Sequence, residues 1–93
     1  MVNAIVLIQT KHGQINDVAE KLAEIPEMSE VFSVGGSFDI IAIIRARDNE
    51  EISELVTQKM VNIEGIERTE TMIAFKAYSR HDLEAVFSIG LEN

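Results

Sequence analysis

The stretch VFSVGGSFDIIAII, residues 31–44, decides how this chain is read. Gly35 and Gly36 stand side by side, followed by Ser37, Phe38 and a carboxylate, Asp39, and then by five apolar residues, Ile40 to Ile44. Glycine accepts positive φ at no steric cost, so the pair predicts a tight turn. A connection this short joins antiparallel strands. Residues 28–35, with Val31, Phe32 and Val34, are therefore expected as one strand and residues 38–47 as the next.

Working towards the N-terminus, residues 4–8, AIVLI, form a second continuous apolar run, which reads as a strand buried on both faces. Gln9-Thr10-Lys11-His12-Gly13 ends it. The period then changes. Ile15, Val18, Ala19, Leu22 and Ile25 recur at helical spacing, with Asp17, Glu20, Lys21 and Glu24 opposite, and Pro26 stops the helix. Beyond the third strand, Asp48 is placed to cap a second helix whose acidic first turn suits the dipole. Ile52, Leu55, Val56, Met60 and Ile63 carry its apolar face, and Gly65 fits the left-handed position after it. Residues 66–78, IERTETMIAFKAY, are expected as a fourth strand, and Ser79 with Asp82 as the cap of a short C-terminal helix.

The order β-α-β-β-α-β describes an α+β, ferredoxin-like sandwich, in which the first and third strands are central. The two continuous apolar runs belong to those strands. Two helices cover one face of such a sheet. Yet Ile41 and Ile43 point to one face, and Ile40, Ala42 and Ile44 to the other. An open face this apolar calls for a partner, and a second copy packed sheet to sheet covers all of it. A homodimer at least is expected.

Composition bounds the rest. Ninety-three residues suggest a single domain with a thin stability margin. No apolar run approaches the roughly 20 residues of a membrane helix, and MVNAIVLIQT has no features of a signal peptide. The absence of cysteine excludes disulfides, thiolate catalysis and cysteine-ligated zinc, and fits a cytoplasmic protein. A net charge of −8 disfavours direct nucleic-acid binding and favours solubility. His12 and His81 are isolated, no nucleophile has a base beside it, and no metal or cofactor is expected. Met28, Met60 and Met72 read as core filler.

Chemistry concentrates at the turn. The glycines alone are explained by a hairpin; bare backbone also lets a ligand approach and offers amide N–H groups to an anion. Asp39 at the mouth of a buried strand loses hydration unless paired. Its partner is a turn amide, an arginine such as Arg45 or Arg47, or an external ammonium group. Amides for a carboxylate beside a carboxylate for an ammonium are what a free amino acid requires. Thr69 and Thr71, two apart on the fourth strand, face the same way, and Arg68, Glu70 and Met72 face the other. They serve as ordinary strand formers or as donors to a carboxylate.

The β-α-β-β-α-β order, the VGGSFD turn and the ERTET strand resemble the effector-binding (RAM) domain of the Lrp/AsnC transcription regulators over residues 1–78. The best of these motifs is the turn Gly36-Ser37-Phe38-Asp39, and the tail YSRHDLEAVFSIGLEN is similar to that of some stand-alone members. The resemblance implies sheet-to-sheet dimers that assemble into octameric or decameric rings. It implies an amino acid bound between dimers by Gly35, Gly36, Ser37, Phe38 and Asp39, completed by Thr69 and Thr71 of a neighbour. Regulators of this family carry an N-terminal helix-turn-helix. Here the first strand begins within three residues of Met1, so a stand-alone effector module without its own DNA-binding domain is expected. Such a module senses an amino acid alone or joins full-length regulators. A structural assembly partner with an empty site, and a small dimeric ferredoxin-like enzyme, are the other readings. The amino-acid-binding ACT domain shares the topology, but a turn between the second and third strands favours the regulator-type module.

Overall fold

The computed structural model describes residues 1–78. The expected C-terminal helix from Ser79 onward lies outside the described residues. The elements are β1 (Val2–Thr10), α1 (Ile15–Ala23), β2 (Met28–Ser33), β3 (Ile40–Ala46), α2 (Asn49–Glu54), a π-helical turn (Leu55–Lys59), a 3₁₀ turn (Met60–Asn62) and β4 (Ile66–Ile73). The sheet is antiparallel in the order β2-β3-β1-β4, so the two continuous apolar runs are the central strands. This is the ferredoxin-like sandwich expected.

Alternation along the strands builds the core. Ala4, Val6 and Ile8 of β1 and Ile40, Ala42 and Ile44 of β3 are fully buried beneath Val18 and Leu22 of α1 and Ile52 and Leu55 of the second helical run. The opposite face carries Ile5, Leu7, Ile41 and Ile43, which are half-buried, and Phe32 and Met72, which are 46% and 42% exposed. Met72 is therefore not core filler within one chain, unlike Met28 and Met60, because its partner across the sheet is Ile5 on that open face.

Local chemistry fixes the element ends. The Glu51 amide donates to Asp48 Oδ1 at 2.9 Å, the expected cap of α2. α2 does not run on as one α-helix to Ile63. After Glu54 it widens, and the Met60 amide donates to the Leu55 carbonyl five residues back. The Thr57 hydroxyl donates to the Ser53 carbonyl at 2.7 Å within this stretch, a side-chain bond that competes with the helical ladder.

Gly65 has φ +97°, but it is not the residue that ends the helix, because the run has already closed at Asn62. It is buried against α1, where an added Cβ would lie 2.8 Å from Val18 Cγ2, and its carbonyl accepts from the Lys11 amide at 2.7 Å. β4 ends at Ile73, shorter than the expected 66–78, once its ladder with β1 closes at Ala4 and the Ala74 amide reaches the Asn3 carbonyl. Phe75 and Tyr78 beyond it are exposed.

Candidate functional site

The β2–β3 hairpin closes with the Val34 amide donating to the Asp39 carbonyl at 2.9 Å, which leaves Gly35, Gly36, Ser37 and Phe38 as its loop. Gly36 takes φ +132°, whereas Gly35 has no positive φ. An added Cβ at either glycine would meet open space. Backbone geometry therefore calls for glycine at Gly36 and not at Gly35.

The loop is fastened to the end of β1. Asp39 Oδ2 accepts from the Thr10 amide at 2.8 Å and from the Thr10 hydroxyl at 3.2 Å. The Asp39 amide donates to the Ile8 carbonyl at 2.9 Å, and Gln9 Nε2 donates to the Ser37 carbonyl at 2.8 Å. A partly buried carboxylate that accepts from a backbone amide and a hydroxyl has recovered part of the hydration it lost. Neither arginine considered from sequence is its partner: Arg47 pairs with Glu51 at 2.8 Å, and the exposed Arg45 lies in no ion pair among the described residues. Both Asp39 bonds use Oδ2, and Oδ1 has no hydrogen-bond partner among the described residues. From β4, the Arg68 guanidinium stands 5.8 Å from the centre of the Phe38 ring, within range of a cation–π contact.

Thr69 is paired with Ile8 and Thr71 with Val6, so both lie on the helix side of the sheet, as two residues sharing a face must. The second helical run lies beside Thr71, with Ile52, Ser53, Val56 and Thr57 lining a hollow next to it. α1 packs on β2 and β3, and α2 on β3, while β4 packs on β1. Thr69 is exposed and Thr71 half-buried. The structure thus brings Gly35, Gly36, Ser37, Phe38 and Asp39 into one loop at one end of the sheet. Thr69 and Thr71 lie on the edge strand β4, on the helix side, whereas Arg68 between the loop and that strand faces the other way. Sequence reasoning missed Gln9, Thr10 and Arg68. The signal for the first two was polar residues directly after an apolar run, in a strand central to the sheet.

No group of three or more potential metal ligands occurs among the described residues. No helix among them is long and apolar enough to cross a membrane.

The class is an α+β ferredoxin-like module whose exposed glycine loop is fastened to a central strand through Asp39. The Lrp/AsnC ligand binding domain matches residues 3–83, and the chain belongs to that family. The HTH-type transcriptional regulator FL11 of Pyrococcus furiosus is 37% identical over 75 residues, 81% of this chain and 49% of FL11. The chain spans about half the length of the curated relatives it matches. TTHA0845 from Thermus thermophilus is 44% identical with a TM-score of 0.81, over 86% of this chain and 100% of that one. The fold alone is shared with the transcriptional regulator NMB0573 of Neisseria meningitidis, solved as its L-Met complex, at 15% identity and TM-score 0.76, over 85% and 53% of the two chains.

Proposed function

We propose that this domain is an effector-binding and assembly module of transcription regulation whose ligand is a free amino acid. The observation that carries this reading is the division of labour within Asp39: Oδ2 is held by Thr10, and Oδ1 is left for an ammonium group. Gly35 and Gly36 beside it leave the loop backbone open to the ligand's carboxylate, and Ser37 and Phe38 border the same loop. Thr69, exposed, and Thr71, half-buried, both on the helix side of β4, complete the site from a neighbouring copy. Membership in a ligand-binding family of transcription regulators supports it, and so does the L-Met complex of a protein sharing the fold.

The module acts by binding rather than by turnover, and in the cytoplasm; its relatives are HTH-type transcriptional regulators. A second copy covers the open face of Ile5, Leu7, Ile41, Ile43, Phe32 and Met72, and dimers assemble further into octameric or decameric rings. Full-length Lrp/AsnC regulators are a further class of partner; copurification of a tagged chain with such a regulator tests that.

The testing experiment is thermal denaturation against the twenty amino acids, with Asp39→Asn alongside. A ligand at 100 times its dissociation constant adds about 2.7 kcal/mol. A rise with one or a few amino acids, lost in the variant, supports the sensor. No rise with any of them in a protein that remains oligomeric supports the alternative, an assembly partner whose site is empty.

A further inference from the structure

We infer that Gln9 and Arg68 are positioning residues for the effector loop, and that they make the order of that loop depend on a second copy covering the open face of the sheet. This rests on the reading of the loop as an effector site and adds how the site is regulated. The two residues are direct partners across the β1–β4 ladder. Burial alternates along β1, with Ala4, Val6 and Ile8 beneath the helices. Gln9 therefore stands on the open face beyond Leu7, and Arg68 opposite it shares that face. From there both reach the loop. Gln9 Nε2 donates to the Ser37 carbonyl at 2.8 Å, and the Arg68 guanidinium lies 5.8 Å from the centre of the Phe38 ring.

The loop's other anchorage comes from the opposite face. Thr10, the next residue of β1, is buried on the helix side and holds Asp39 Oδ2 through its amide and hydroxyl. Consecutive strand residues point to opposite faces, so Gln9 and Thr10 grip the loop from the two sides of the sheet. β4 is shaped to match. Gln9 pairs with Arg68 but Thr10 with Ile66, which leaves Glu67 as the extra residue of a β-bulge. Residues two apart in a regular strand share a face. Here the bulge lets Arg68 serve the open face while Ile66 packs on the core.

The two grips differ in what they depend on. The Asp39–Thr10 bonds are sheltered within one chain. Gln9 and Arg68 lie at the end of the apolar patch that includes Leu7 and Ile41, and Arg68 is exposed. Glu67 and Glu70 are close to Arg68 in the chain, yet Arg68 lies in no ion pair among the described residues, and its guanidinium stands at the Phe38 ring instead. A cation is held weakly by a ring in water and more strongly once desolvated. A second sheet laid on Leu7 and Ile41 removes water from the neighbouring Gln9–Arg68 pair. That strengthens both contacts and fixes Ser37 and Phe38, next to the bare backbone of Gly35 and Gly36. Covering the face and binding a ligand at the loop both favour the ordered loop, so each favours the other.

The test is hydrogen exchange of the whole chain, read at the Thr10, Val34 and Asp39 amides, whose bonds close the loop. The amides of the β1–β3 ladder are the internal reference. It is run on the parent, Gln9→Ala, Arg68→Ala and Arg68→Lys. Two further variants place a charge on the open face away from the loop: Ile43→Asp, and Met72→Asp at a position already 42% exposed. Gln9→Ala and Arg68→Ala are expected to speed the three loop amides about threefold or more with the ladder amides unmoved, and Arg68→Lys, which keeps the cation, to recover part of the protection. Chains made monomeric by Ile43→Asp or Met72→Asp are expected to show the same loosening relative to the ladder, and Arg68→Ala added to either to change little more. Loop amides that exchange at the parent's rate in both Gln9→Ala and Arg68→Ala would overturn the positioning role. Loosening in those two variants but none on loss of the dimer would overturn the dependence on a second copy. Thermal titration of the parent with the twenty amino acids keeps the two readings apart: no response to any of them, with the exchange pattern as expected, would overturn the effector reading and leave the coupling of loop to sheet face standing.

Discussion

Replacing Asp39 separates what the residue does for the fold from what it does for a ligand. In Asp39→Ala the Thr10 amide and hydroxyl lose their acceptor, at 2.8 and 3.2 Å. The amide lies in a partly buried place at the end of β1, so part of its desolvation cost is left uncompensated. Hydrogen bonds to a charged group contribute about 1.5–3 kcal/mol, so a loss of about 2 kcal/mol is expected. In a domain of this size each kcal/mol moves Tm by about 4–8 °C, which puts the drop near 8–16 °C. Asp39→Asn keeps an oxygen for Thr10 and loses only the charge, so it is expected to melt within about 1 kcal/mol of the parent. It places an NH₂ group where Oδ1 stood, and a donor facing an ammonium repels it. The assay is differential scanning fluorimetry of the three proteins, with and without each amino acid. The expected pattern is a low-melting Ala variant, a near-parental Asn variant, and a ligand response in the parent only. An Ala variant that melts within about 2 °C of the parent would refute the clamp. An Asn variant that still responds to the ligand would refute the ammonium role of Oδ1.

The two loop glycines are expected to part company. Gly36→Ala, at φ +132°, should cost about 1–3 kcal/mol in backbone strain, whereas Gly35→Ala should melt like the parent and lose only the ligand response. Gly65→Ala combines a left-handed φ of +97° with a 2.8 Å approach to Val18, so a loss of about 2–4 kcal/mol by chemical denaturation is expected. Asp48→Ala removes the cap on the Glu51 amide and should cost about 1 kcal/mol in the same assay. Leu7→Asp on the open face should leave the chain folded but monomeric by light scattering, because Leu7 has Ile41 and Glu70 beside it and no helix above it. Glu27 is held below its ordinary pKa, first by its own backbone amide and then by the Lys59 ammonium at 3.1 Å. A depressed carboxylate stabilises above its unfolded pKa and loses that contribution as pH falls through the folded one. The pair is partly exposed, so the parent should lose under about 1 kcal/mol more than Glu27→Gln in melts taken from pH 5 to pH 3.

Particular residues show why much of the fold was legible from the chain and part of the site was not. The apolar runs 4–8 and 40–44 announce central strands because β1 and β3 are apolar both on the face under the helices and on the open face. Asp48 announces its helix because capping is a contact over three residues. By the same logic Gly36 was readable, since φ is a property of one residue. The partner of Asp39 was not. Thr10 lies 29 residues away, and only the register of β1 against β3 places its amide beside Oδ2. Arg68 over Phe38 depends on a contact across the sheet between non-consecutive strands, which spacing does not encode. The widened turn at Leu55–Lys59 also escaped, because Val56 and Met60 keep the spacing of a regular helix while the backbone between them does not.

One chain is chemically incomplete in two places, and they call for different completions. The open sheet face is broad and apolar, with Ile5, Leu7, Ile41 and Ile43 half-buried at its centre. A small molecule cannot cover such an area, and a second sheet can. The other incompleteness is narrow and polar: a carboxylate oxygen at the glycine loop with no hydrogen-bond partner among the described residues, and two threonine hydroxyls on the helix side of β4. A second protein surface brings no free ammonium and carboxylate on one carbon, and an amino acid does. The two sets of groups sit on strands β3 and β4 with only β1 between them: Ile40 and Thr69 flank Ile8, and Arg68 of β4 stands over Phe38 of the loop. If, as proposed, a ligand draws the loop from one copy and the threonines from another, its binding free energy acts directly on assembly, and that coupling makes a binding site a sensor.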